Sequence, residues 1–162
     1  MTDASASPIS PPTAPRPLPG VSRASSAARI GAAIAAAAIL AVLYLAATLH
    51  ADPAGHGTHQ QLGLPACGFA ATTGHPCPTC GMTTAFTLTA HGRLPSALRT
   101  QPGGALACLA ATTLLWPCLH TAATGSRALE LCGKLLTPKA LWTAAAVWLG
   151  SWIYTFLTWQ QA

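Results

Sequence analysis

Charge is what this chain most conspicuously lacks. Only 7% of its 162 residues are Asp, Glu, Lys or Arg, and just three of those are acidic, against roughly 25% charged in an ordinary soluble domain. A water-exposed globule of this size cannot cover its surface with so little charge, whereas a bilayer favours long segments that keep charge out. No phosphate-cradling glycine loop and no Ser-His-Asp order appears. Asp3, Asp52 and Glu130 all fall outside the long apolar runs, which argues against a transporter working through a membrane carboxylate. Six cysteines are too few and too dispersed for a disulfide scaffold. The formal charge is +5, but its basic residues stand in small groups between apolar runs. They read as topology signals, so no nucleic-acid partner is expected.

What is present is apolar length. Residues 30–49 contain no charge, and twenty residues at 1.5 Å rise reach about 30 Å, the thickness of the hydrocarbon core. Further uncharged runs predict helices over 103–123 and 140–159. The fold class is therefore all-α and integral membrane, with three transmembrane helices. Residues 1–28 hold six of the fourteen prolines and no apolar periodicity, so they are expected to be a disordered cytoplasmic tail ahead of a membrane domain at 29–162. A cleaved signal peptide fits poorly, because the preceding region is long and no small-x-small site stands near Ala51. Gly31 and Ala35 have the small-xxx-small spacing of closely packed helices. Pro117 predicts a kink. The stripe Trp148, Trp152, Thr155 and Trp159 is expected to pack against another helix.

Counting basic residues orients the chain. With the N-terminus cytoplasmic and the C-terminus extracytoplasmic, Arg16, Arg23, Arg29, Arg127, Lys134 and Lys139 lie inside and only Arg93 and Arg99 outside, in accord with the positive-inside rule. The stretch 81–91 is too short to span, since eleven helical residues reach only about 16 Å. It is expected to be a re-entrant or interfacial half-helix on the outer side, with Thr84, Thr87 and His91 as its polar stripe.

Any chemistry belongs to the cysteine segment 67–91, which carries Cys67, His75 and the Cys77-Pro78-Thr79-Cys80 pair. Two cysteines at this spacing can form a disulfide, hold a metal, or exchange with a third thiol. Three readings therefore stand side by side: a structural disulfide between Cys67 and Cys77 or Cys80, a zinc or other soft-metal site of Cys67, His75, Cys77 and Cys80, and a redox pair at Cys77 and Cys80 with Cys67 as shuttle. Pro78 suits the first position of a helix, which would make Cys77 its cap and put Cys80 in the first turn. Gly81 offers the other start, at Met82. His56-Gly57-Thr58-His59 reads first as a flexible loop and second as a contributor to a metal site. Cys108, Cys118 and Cys132 read as small apolar residues.

Cys67-Gly68-Phe69, then Thr73-Gly74, then Cys77-Pro78-Thr79-Cys80-Gly81-Met82-Thr83-Thr84-Ala85, then Gly92, Ala97 and Pro102 together resemble the signature of the domain of unknown function 2752 family, small multi-pass membrane proteins of bacteria. The resemblance implies a location in the bacterial inner membrane with the cysteine segment between helices, and it brings no established activity. This chain departs from the family's pattern C-P-x-C-G-x-T-R-A, G-D, N-P in having Thr84 for the usual arginine, Arg93 for the usual acid and Gln101 for the usual asparagine. The usual arginine and acid cannot pair here. The first functional reading is a non-enzymatic structural or interaction subunit, partnered by the lipid bilayer and by a second copy or another membrane protein. The alternative is a thiol-disulfide relay or metal-binding protein using Cys67, Cys77 and Cys80.

Overall fold

A computed structural model describes residues 23–134 and 137–159. The first helix, α1 (Ser26–Thr48), starts where the Ser25 hydroxyl accepts the Ala28 N–H at 3.2 Å. This serine cap sets the start a turn ahead of the uncharged run, so the helix takes in residues assigned above to the tail; residues 1–22 of that tail lie outside the described residues. Four short helices follow: α2 (Gly68–Thr73), α3 (Met82–Ala90), α4 (Leu94–Thr100) and, after the long α5 (Pro102–Thr124), α6 (Ala128–Lys134). The last is α7 (Pro138–Thr158). Both α5 and α7 begin with proline in the first helical turn, behind a side-chain cap from Gln101 and Thr137 respectively, an arrangement that uses a residue with no N–H to donate where none is needed. Among the described residues the fold is all-helical, and α1, α5 and α7 are long and apolar enough to cross a membrane. The half-helix is α3, whose nine residues reach only about 14 Å.

Small residues set the packing. Ala32 and Ala36 of α1 are buried, and so are Gly104, Ala105 and Cys108 of α5. Gly31 instead faces open space, so the close-packing pair keeps its four-residue spacing one position later than Gly31 and Ala35 suggest. Between these helices, Ala85 and Leu88 of α3 meet Ala97 of α4 and Ala105 of α5 in one apolar cluster. Gly104 is held to glycine by proximity: an added Cβ would stand 3.1 Å from both the Ala85 Cβ and the Met82 carbonyl.

Basic side chains stand at both ends of the bundle. The Arg29 guanidinium donates to the carbonyls of Ala122 (3.0 Å) and Ala123 (3.3 Å), and the Ala24 N–H donates to Gly125 O at 2.8 Å. The start of α1 therefore lies beside the end of α5, where a cation meets the negative end of the helix dipole. Arg93 caps α4 and Arg99 lies in its last turn, next to the start of α5. The helix α7 buries only Ser151 and Thr155, and most of its aromatic surface faces outward, as Trp142 and Trp148 show.

Candidate functional site

Glycine geometry shapes the cysteine loop. Gly74 ends α2 and Gly81 precedes α3, both in the left-handed region at φ 72° and 81°. At Gly81 a Cβ would also come within 3.1 Å of Gly55 O. The chain therefore turns before Met82, and Cys77 and Cys80 lie on a turn closed by Cys80 N–H to Cys77 O at 3.0 Å, not on the first turn of a helix beginning at Pro78. Pro76 is buried, and its carbonyl accepts the Trp152 indole N–H at 3.2 Å. The Ser151 hydroxyl accepts the Gly103 N–H at 2.7 Å, and the Tyr154 hydroxyl donates to Arg99 O at 3.1 Å. These bonds from α7 hold the loop against the bundle. Periodicity alone carries no signal for them.

The folded loop brings Cys67, Cys77 and Cys80 together, with all three sulfurs within 4.8 Å of one another. Each is a free thiol. The Cys77 and Cys80 sulfurs are 3.3 Å apart, the Cys77 N–H donates to the Cys80 sulfur at 3.3 Å, and the Thr79 hydroxyl is 3.3 Å from the Cys77 sulfur. Partial burial pushes the Cys77 thiol up, but the Thr79 hydroxyl, the Cys80 thiol, the Thr79 backbone and the Cys67 thiol outweigh it and bring Cys77 down to about 7 from an ordinary 9.0. Cys80 is pushed up to about 12 by burial first and by its neighbouring thiols second. One sulfur of the pair is thus poised as a thiolate near neutrality, and the other holds its proton.

The three thiols open onto a cleft of about 670 Å³, lined also by His56, His59, Thr83 and Trp159. His75 is not among its walls. Its ring stacks on Phe156 with centroids 5.0 Å apart, and its Nδ1 lies 2.8 Å from Thr73 O. The polar stripe divides: Thr84 is buried and hydrogen-bonded to the Thr58 hydroxyl at 2.8 Å, Thr87 is buried with no partner for its hydroxyl, and His91 is exposed with Nδ1 2.8 Å from Thr87 O. Thr84 takes its place in a neutral hydroxyl chain, since Thr58 in turn accepts the Asp52 N–H at 2.9 Å. His56, read from the sequence first as part of a flexible loop, stacks on Trp159 with centroids 4.5 Å apart.

Residues 67–116 match the family described as Protein of unknown function (DUF2752). No curated protein and no solved structure matches the chain. The matched stretch runs from the first thiol of the cleft through α3 and α4 into the middle of α5, so the cysteine loop and the helices that carry it are the part of the chain that is similar to this family.

Proposed function

We propose that this chain is a small non-enzymatic membrane protein of bacteria that holds a soft metal ion, zinc or a similarly thiophilic cation, through Cys67, Cys77 and Cys80. The observation that carries this reading is the triangle of three free thiols within 4.8 Å beside an open cleft. Three sulfurs each about 2.3 Å from one tetrahedral ion stand about 3.8 Å apart, so a pair at 3.3 Å with a third sulfur within 4.8 Å needs only small movements to share one ion. A lone disulfide would use two thiols and leave the third without a role. The test is the metal content of the reduced, detergent-purified full chain. One equivalent of metal in the wild type, lost in Cys67→Ser, Cys77→Ser and Cys80→Ser, is the expected result.

The 3.3 Å approach of Cys77 and Cys80 favours one second reading, dithiol exchange with a disulfide partner. There the Cys77 thiolate attacks a partner sulfur and expels one partner thiolate. Cys80 then loses its proton and displaces the second, so two electrons pass to the partner and a Cys77–Cys80 disulfide remains. A metal-free wild type that loses two thiols on exposure to a small disulfide would favour this exchange.

The separated charge groups support an orientation with Arg23, Arg29, Arg127 and Lys134 in the cytoplasm and the cysteine cleft outside. A membrane-impermeant thiol reagent should then label Cys67, Cys77 or Cys80 in intact cells and reach Cys132 only after the membrane is opened. Labelling of Cys132 alone would reverse the orientation. The outward apolar faces of α1, α5 and α7 suit lipid contact, or a second copy of the chain.

A further inference from the structure

Three sulfurs leave a tetrahedral ion one position short. We propose that His56 supplies the fourth donor through Nε2, making the site Cys67, Cys77, Cys80 and His56; this inference rests on the metal reading above. Two side-chain polar atoms among the described residues are buried without a partner: Thr87 Oγ1, inside the helix bundle, and His56 Nε2, in a residue that lines the thiol cleft. A buried nitrogen with no hydrogen bond is rare in a folded protein, and an ion ligated in the cleft would satisfy it.

The other imidazoles near the thiols are engaged elsewhere. His59 lines the cleft, but its Nε2 lies 3.1 Å from Pro65 O. His75, two residues before Cys77, is committed to Phe156 and Thr73. His56 is held by a different set of constraints. Gly55 and Gly57 flank it in left-handed conformations, at φ 78° and 94°, and a Cβ on Gly57 would stand 3.1 Å from the Asp52 carboxylate. Two residues on, Thr58 is fully buried and bonded to Thr84 of α3, which ties the loop to the helix that follows Cys80. Trp159 covers a face of the His56 ring. Stacking on the face leaves the in-plane nitrogen lone pair free, the direction from which imidazole binds a metal. The His56 nitrogens lie outside the set of ligand atoms within 4.8 Å of one another that the three sulfurs form, so the fourth bond requires the ring to close on the ion as it binds.

Cobalt(II) is the probe, because its visible absorption reports both tetrahedral geometry and thiolate ligation. The reduced full chain in detergent should bind one equivalent of Co²⁺ and release it to Zn²⁺. His56→Gln should weaken Co²⁺ binding by about 10- to 100-fold and shift the ligand-field bands as water oxygen replaces nitrogen, with sulfur-to-cobalt charge transfer retained. His59→Gln and His75→Gln should titrate as wild type. His56→Phe keeps a ring on Trp159, so a loss of binding in that variant with unchanged helical content and melting temperature assigns the effect to the nitrogen and not to the loop. Wild-type affinity and bands in both His56 variants would overturn the inference and leave the three-thiolate reading standing. Failure of the wild type to bind Co²⁺ with its thiols reduced would overturn both.

Discussion

Cys67, Cys77 and Cys80 meet at a cleft on connecting segments, whereas Cys108 and Cys118 are 2% and 1% exposed within α5. The first group is gathered by turns. The second occupies positions equivalent to those of Ala32 and Ala105, where a helix interface needs a small side chain. Cysteine does two jobs in this molecule, and the difference lies in the backbone that carries it. Thiols on turns converge and keep a route to solvent, while thiols on a packed helix are separated by the helix rise and covered by its neighbours.

The largest contrast should appear in thiol reactivity. In the metal-free protein at pH 7, Cys77 should be alkylated at least about a hundredfold faster than Cys80. Its pKa is lowered to about 7, so its thiolate fraction and its rate rise as pH rises through that value and fall below it. Cys80, at about 12, stays protonated across this range. Time-resolved alkylation followed by peptide mass spectrometry reads both rates; faster labelling of Cys108 than of Cys77 would break the division between the two groups, and faster labelling of Cys80 would reverse the order within the first.

Metal affinity should separate the groups next. Serine at position 67, 77 or 80 should lower it by at least about 100-fold, since even loss of a supporting contact to a ligand costs 10- to 100-fold. Cys108→Ala and Cys118→Ala should leave it unchanged in a competition titration with a chromophoric chelator. A third effect probes the packed side directly. Gly104→Ala places a methyl group against Ala85 and the Met82 carbonyl, and it should destabilise the bundle by about 1 to 3 kcal/mol in a detergent unfolding titration. The smallest expected change is that of Cys118→Ala, which removes one buried sulfur and should cost about 1 kcal/mol.

The long helices were legible because charge avoidance and length act on many residues at once. The three long apolar helices and the short α3 follow from that arithmetic, with ends displaced where single residues decide, as Ser25 does for α1 and Pro138 does for α7. The site was legible in its sulfurs, whereas its histidine was legible only as a second reading of the His56-Gly57-Thr58-His59 loop and His75 stood in the first. Cys77 and Cys80 are fixed as neighbours by their spacing, and Cys67 lies only a short loop away. His75 is also near in sequence, but Gly74 turns the chain and Phe156 of α7 captures the ring. His56 comes from a loop 11 residues ahead of Cys67, brought in by the Thr58–Thr84 hydrogen bond and by Trp159. Contacts of that kind depend on side-chain geometry across elements, and no period in the chain announces them. The tryptophan stripe of α7 shows the same division. Trp152 and Trp159 pack on the cysteine segment and its neighbouring loop, while Trp148 stays exposed.

The central claim is that three sulfurs of one chain share one ion, and X-ray absorption at the metal edge of the zinc-loaded, detergent-purified protein tests it most directly. Three sulfur neighbours at about 2.3 Å and one nitrogen or oxygen neighbour at about 2.0 to 2.1 Å are expected. A shell made only of nitrogen and oxygen, or one with fewer than three sulfurs, would contradict it.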